Sequence, residues 1–454
     1  MVIKVEIISK ENIKPSSPTP QTLKLYKLSI LDQLIPAPYA PIILYYRNHN
    51  QDHDPTNNLD HQLQNKLQTL KDSLSKTLTD FYPLAGTIKD DLSIDCDDVG
   101  ACFAVARVDT RLDDFLENLD LEVVNRFFPC EPGFNGSIVG SCVMNVQVNV
   151  FECGGIAIGL CISHKILDGS AIGTFLKGWS GSSRGSKEVV IPNLSAPSLF
   201  PANDDLWLKD SAMVMWGSLF KIGKCSTRRF VFDSSKLALL KAEAASGNGV
   251  KNPTRVEVVS ALLWKCVMAA ADENAGFRKP SLLSHVVNLR KRLSSTLPED
   301  SIGNLIWITS SECGPKSETG INDLVERVRS GVSKIDGEFV KNLRGDKGRE
   351  VMEESLERLK DCGTTTKDYV GFTSWCKMGF YEADFGWGKP IWVCGSVCHG
   401  NPVFMNFIVL MDTRSGDGIE AWVNIDEQEM QTLQHNQELM AFASLDQSPL
   451  QMNH

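Results

Sequence analysis

The run Val143-Met144-Asn145-Val146-Gln147-Val148-Asn149-Val150-Phe151-Glu152-Cys153-Gly154-Gly155-Ile156-Ala157-Ile158-Gly159-Leu160-Cys161-Ile162-Ser163-His164-Lys165-Ile166-Leu167-Asp168-Gly169 joins two strands, a turn and a candidate base in one segment. Val143 to Phe151 alternates apolar and polar residues, as a strand does. Cys153-Gly154-Gly155 is a turn signal, and Ile156 to Ile162 is the return strand of a hairpin. A polar loop, His164 to Gly169, follows. Ile172, Phe175, Leu176 and Trp179 then mark one face of a helix. A His at the end of a buried strand can face a cleft, and a neutral imidazole can take a proton from an alcohol. An Asp in the same tight loop can hold the loop's shape. A lone H-x-x-x-D is a weak signal, and a structural loop histidine is the plain alternative.

Outward from this segment, strands and helices are mixed throughout, which predicts an α/β fold. Ile42 to Tyr46 reads as a strand. Leu63, Leu67, Leu70, Leu74 and Leu78 recur at helical spacing and lead into Phe81-Tyr82-Pro83. In the second half, Arg229 to Phe232, Leu282 to Leu289, Phe404 to Met411 and Ile419 to Val423 read as strands. Val256 to Ala270 and Ile321 to Arg329 read as helices, and the charged, Gly-punctuated Lys341 to Glu350 as a mobile segment. The 454 residues exceed one ordinary hydrophobic core, so two domains are expected. Small and polar residues from Ser180 to Gly185, then prolines from Pro192 to Pro201, form a linker signature. The expected division is 1–200, a crossover at 201–220, and 221–454.

Composition narrows the function. Hydrophobic residues make up 42% and charged residues 22%, and the net charge of −10 argues against nucleic acid or an anionic membrane as the main partner. No segment approaches the roughly 20 apolar residues of a membrane span. The N-terminal apolar residues are interrupted by Lys4, Glu6, Lys10 and Glu11, so no secretory signal is expected there. The 13 cysteines include no Cys-x-x-Cys pair. A reduced, cytoplasmic enzyme is expected.

Other motifs compete for the chemistry. Asp384-Phe385-Gly386-Trp387-Gly388-Lys389-Pro390 implies a tight backbone with an aromatic anchor. Its Asp-Phe-Gly is not a kinase metal loop, because the chain lacks the kinase glycine loop and His-Arg-Asp loop. Gly181-Ser182-Ser183-Arg184-Gly185 matches G-x-S-x-G in letters, but a nucleophile elbow follows a buried strand, and this one follows a helix. His49, His53 and His61 lie in a polar stretch better read as a solvated loop than as a metal site, and no metal is expected. Asn288-Leu289-Arg290 closes a strand, and Asp384 is a candidate ion-pair partner for Arg290.

Taken together, these residues resemble the BAHD family of plant acyl-CoA-dependent acyltransferases, over nearly the whole chain. Pro18-Thr19-Pro20, Leu28-Ser29-Ile30-Leu31-Asp32 and Phe81-Tyr82-Pro83-Leu84-Ala85-Gly86 match the family's N-terminal hallmarks. His164-x-x-x-Asp168-Gly169 and Asp384-Phe385-Gly386-Trp387-Gly388 stand in its two motif positions. Thr373 to Val393 is most like the members that acetylate alkaloid alcohols. Two positions depart from the pattern: Thr87 replaces the usual Arg, and Ser301-Ile302-Gly303-Asn304 replaces Tyr-Phe-Gly-Asn.

The resemblance implies two similar chloramphenicol-acetyltransferase-like domains, each a mixed sheet with flanking helices, and a tunnel between them. It implies a monomer that takes acetyl-CoA as co-substrate and a small alcohol acceptor, an alkaloid or a terpenoid, and transfers the acyl group directly. His164 is then the general base. Asp168 supports the loop. Thr373 and Trp375 lie beside the acyl group as oxyanion donors, and Thr254 and Arg255, at a helix start, lie near coenzyme A. Asp384, the third residue of the catalytic set, is expected to pair with Arg290 and not to act as a second base. A hydrolase using the same His on water, and a non-catalytic binding protein of this fold, are the alternatives.

Overall fold

The computed structural model describes residues 3–36, 38–48, 59–131, 138–202, 219–246, 250–292, 297–345, 348–360, 367–398 and 403–452. Two mixed sheets dominate it. The first has the order Val5–Ile13, Ala101–Val108, Met144–Phe151, Ile156–Ser163, Tyr39–Tyr46 and Trp392–Cys394. The second runs Ile306–Cys313, Ser281–Asn288, Asp368–Ser374, Phe407–Asp412, Ile419–Asp426, Cys225–Phe232 and Ser444–Leu445.

The two sheets share one pattern. Ala101–Val108 is parallel to Met144–Phe151, which is antiparallel to Ile156–Ser163, which is antiparallel to Tyr39–Tyr46. In the second sheet, Asp368–Ser374, Phe407–Asp412, Ile419–Asp426 and Cys225–Phe232 repeat that order and those senses. The two lobes are therefore built alike, although no short sequence repeat announces it.

The hairpin forms as its sequence predicts, from Met144–Phe151 and Ile156–Ser163, with Gly154 in the left-handed region at the turn. Its alternation does not mark a solvent face. The strands are central, and the polar Gln147 and Asn149 are buried. Gln147 Nε2 donates to the Arg126 carbonyl (3.0 Å), and Asn149 Nδ2 donates to those of Phe127 (2.9 Å) and Ala157 (3.1 Å). Buried amides are tolerated because they are paired in this way.

Asp168 N-caps the helix Gly169–Ser183 by accepting from Ala171 N–H at 2.9 Å. Its Ile172, Phe175, Leu176 and Trp179 face inward. Trp179 Nε1 donates to Leu70 O and Ser73 Oγ, both at 3.1 Å, and so ties this helix to the long helix Leu59–Asp80. In the second lobe, the helices Arg255–Ala275 and Ile321–Ser333 bury their apolar faces in a separate core. A third cluster, including Ile30, Leu34, Phe200, Leu289 and Leu305, fills the seam between the lobes.

Two expectations are corrected, and one strand, Val5–Ile13, is added. Lys341 to Glu350 contributes to two helices, Gly337–Arg344 and Gly348–Lys360, because Val340 and Leu343 bury while the charges face outward. Val5–Ile13 is an edge strand, and its charged residues lie on the exposed sheet edge. The expected second domain also gives part of itself away: Phe380 to Val397 packs into the first lobe's core, with Trp392–Cys394 as an edge strand of the first sheet. Most of the expected crossover, 203–218, lies outside the described residues.

Candidate active site

The hairpin's second strand ends at Ser163, and the polar loop places His164 on the wall of a cavity of about 310 Å³ between the lobes. The His164 backbone N–H donates to Pro38 O at 2.9 Å. Its side chain is oriented by Asn304, 140 positions later in the chain. Asn304 Nδ2 donates to Asp32 Oδ1 (2.9 Å) and to the His164 carbonyl (2.6 Å). The amide oxygen is therefore the atom that faces His164 Nδ1, at 2.9 Å. An amide oxygen can only accept, so Nδ1 is the donor, and in the neutral ring Nε2 keeps its lone pair. Nε2 is the nitrogen left for a substrate.

Asp32 anchors this relay. One carboxylate oxygen accepts from Asn304 N–H (2.7 Å) and Nδ2, and the other from Ser29 N–H (2.9 Å) and Oγ (2.6 Å). Burial pushes the Asp32 carboxyl above its ordinary range, and the hydrogen bonds from Ser29 and Asn304 pull it back. The neighbouring Lys165 ammonium is lowered by burial, against the charges of Asp91 and Asp32.

Asp168 turns away from the imidazole. It forms a bidentate pair with Arg290, Nη1 to Oδ2 at 2.7 Å and Nη2 to Oδ1 at 3.1 Å, and also accepts from Leu305 N–H at 3.0 Å. Both partners are buried. Arg290 further donates to the carbonyls of Ser301 (2.8 Å) and Gly303 (3.1 Å). One guanidinium thus holds the loop that carries His164 and the loop that carries Asn304. Gly303, at φ 128°, supplies a backbone conformation that a side chain would strain.

Thr373 and Trp375 also line the cavity, at the end of Asp368–Ser374. Gly169 lets Trp375 come close: a Cβ there would lie 2.7 Å from Met378 Sδ and 3.1 Å from Trp375 Nε1. Much of the remaining wall is apolar, including Pro36, Pro38, Ile306, Met405, Phe407 and Trp422. Among the described residues, no group of three or more His, Cys, Asp or Glu could hold a metal ion.

A family model described as Transferase matches residues 3–440. A limonoid 7-O-acetyltransferase of Citrus sinensis is 42% identical over 98% of this chain and 99% of its own. A stemmadenine O-acetyltransferase of Catharanthus roseus is 37% identical over 95% and 97%. The crystal structure of vinorine synthase superposes with a TM-score of 0.79 at 34% identity, covering 97% of this chain and 99% of that one. The chain belongs to the BAHD acyltransferases. It is an acyl-CoA-dependent O-acyltransferase by family, and its substrates are an acyl thioester and an alcohol.

The second BAHD motif does not reach the reacting centre, and the expected Asp384–Arg290 pair is absent. Asp384 Oδ1 accepts from Gly386 N–H (2.8 Å) and Gly388 N–H (3.0 Å), closing its own turn. Both glycines have positive φ, 104° and 105°. Phe385 packs edge-on against Trp179 and Tyr46. The reason is distance. Ser183 Oγ donates to Phe385 O (2.8 Å) and Arg184 to Asp384 O, so the motif sits at the far end of Gly169–Ser183. Fifteen helical residues put it roughly 20 Å from Asp168. The same contacts dispose of the G-x-S-x-G reading, whose Ser183 and Arg184 serve this turn at a helix C-terminus.

Thr254 and Arg255 do not line the cavity. Thr254 caps Arg255–Ala275 in a capping box with Glu257. Arg255 pairs with Asp412 (3.0 Å), which also accepts from Lys377 N–H (2.6 Å) in the turn after Trp375. His61 lies exposed on its helix, and His49 and His53 fall outside the described residues. Sequence reading missed Asn304 as the partner of His164 and Asp32 as the anchor of Asn304. Both stood in quoted family segments, but nothing local showed that they meet.

Proposed function

We propose that the chain moves an acetyl group from acetyl-CoA to a hydroxyl of a bulky, largely apolar plant metabolite, an alkaloid or terpenoid alcohol, by direct transfer. The observation that carries this is His164 on the wall of an apolar cavity, its Nδ1 fixed by Asn304 so that Nε2 is free to accept a proton. Nε2 takes the alcohol proton as the oxygen attacks the thioester carbonyl. The tetrahedral oxyanion is stabilised by Thr373 and Trp375. Collapse expels the thiolate, and the imidazolium returns the proton to sulfur. Holding both substrates at one base supplies the entropic advantage and requires no acyl-enzyme.

The described lining contains no Lys or Arg, which favours acetyl over a carboxylated acyl group. The named activities of the citrus and Catharanthus relatives, on a limonoid and on stemmadenine, support a bulky acceptor. Thr254 and Arg255 remain a candidate contact for the charged end of coenzyme A, outside the cavity. The enzyme acts as a monomer in the cytoplasm on this proposal; no helix among the described residues is long and apolar enough to cross a membrane.

The test is a screen of polycyclic alcohols with acetyl-CoA, read by mass spectrometry for the ester and by thiol assay for free coenzyme A. Ester with equimolar thiol supports the proposal. Thiol release without alcohol, yielding acetate, favours the hydrolase.

A further inference from the structure

Several polar side chains on the cavity wall are committed within the protein. Asp168 is held by Arg290. Thr227 Oγ1 accepts from Cys398 N–H at 2.9 Å, Asn424 Nδ2 donates to Met405 O at 3.0 Å, and the Tyr39 hydroxyl donates to Cys142 O at 2.8 Å. Trp422 Nε1 is buried without a partner, whereas Asn288 and Ser170 form a linked pair. Asn288 ends the strand Ser281–Asn288, and its Oδ1 accepts from Arg290 N–H (3.0 Å) and from Nη1 (3.4 Å). These donors fix the carboxamide, so that Nδ2 is turned to Ser170, whose Oγ accepts at 3.4 Å. A primary amide has a second N–H, and the serine hydroxyl has its own proton. Neither has a partner among the described residues, and both residues line the cavity with His164.

The donors are also rigidly placed relative to the base. Ser170 stands in the first turn of the helix that Asp168 caps, and Asn288 is held by the Arg290 that grips Asp168. A site that offers donors calls for an oxygen that accepts. With no Lys or Arg in the described lining, an uncharged oxygen fits better than a carboxylate.

We propose that Asn288 and Ser170 bind an uncharged oxygen of the acceptor, a carbonyl, ester or ether, and thereby set which of its hydroxyls meets His164. This rests on the O-acyltransferase function proposed above. Both side chains are half-buried on the cavity wall, and where a bound acceptor excludes water, a donor facing a molecule that lacks the oxygen is left unpaired, which discriminates against that molecule.

The experiment uses two tetracyclic alcohols that differ only in one ring ketone remote from the hydroxyl, chosen from those the wild-type enzyme esterifies. Ser170→Ala and Asn288→Asp remove one donor each, and the second keeps an oxygen for Arg290. Each is expected to lower kcat/KM for the ketone alcohol about tenfold more than for its partner, through KM for the alcohol. Ser170→Thr, which retains a hydroxyl, should recover the discrimination. Equal losses on both alcohols, or losses confined to KM for acetyl-CoA, would overturn the assignment while leaving the O-acyltransferase function standing. Failure of the wild-type enzyme to form ester with any alcohol would overturn that function, and this inference with it.

Discussion

On the proposed mechanism Asn304 acts on the reaction only through His164, so its loss should read out differently from that of the base. Asn304→Ala removes the acceptor at Nδ1 and one of the donors to buried Asp32. We predict a fall in kcat of about 10–100-fold with a smaller change in KM, because a misoriented base still leaves the cavity intact. Steady-state kinetics on an esterified alcohol decide it; an unchanged kcat would remove Asn304 from the mechanism. A second residue-scale prediction concerns Arg290. A double-mutant cycle between Arg290 and Asp168 should show coupling of about 0.5–3 kcal/mol, whereas one between Arg290 and Asp384 should be additive. Thermal or denaturant unfolding of the three single and two double variants measures both. His164 and Asp168 were legible because motif and loop lie together in sequence. The partner of Arg290 was not, because several carboxylates offer the same charge and only the chain's path chooses among them. Asn304 was visible as a motif letter, yet its contact with a residue 140 positions away has no local signature.

At the scale of elements, periodicity located strands and helices well, and it misjudged exposure where a third element intervened. The alternation of Val143 to Phe151 looks half-exposed until the carbonyls of Arg126 and Phe127 come to pair with its amides. The same layering buries His285 within the strand Ser281–Asn288, with its ring stacked on Phe372 at 6.2 Å. Burial lowers the His285 pKa, against opposing contributions from the Val286 carbonyl and Glu257. The sign follows directly. In the unfolded chain this imidazole gains a proton near pH 6.5, while in the fold it stays neutral. The unfolded state therefore binds more protons, and stability falls as pH drops below about 6.5. His285→Phe should show a shallower acid-side loss of melting temperature than wild type, as measured by calorimetry across pH 5–7. Parallel curves would mean that folding does not lower the His285 pKa.

The whole molecule is two lobes of one plan, joined where the second lends a strand to the first. Size and the prolines near residue 200 pointed to two domains. The lent segment was illegible, because Ile391 to Val393 reads as an ordinary strand with nothing to name its sheet. One buried pair sits at this join. Arg229 meets Glu420 at 2.8 Å within the second sheet, and its guanidinium lies against Trp392 of the first sheet and Trp422 on the cavity wall. Glu420→Leu should cost about 3–5 kcal/mol, since it strands a buried charge. Equilibrium denaturation checks this, and a loss under about 1 kcal/mol would contradict it. All of this architecture places one imidazole on the wall of the cavity between the lobes. The most direct measurement is coenzyme A release and ester formation by wild type and His164→Ala, with acetyl-CoA and an accepted alcohol. Removing the base should lower turnover about 10²–10⁴-fold at an unchanged melting temperature. Near-normal turnover by the folded variant would contradict base catalysis by His164.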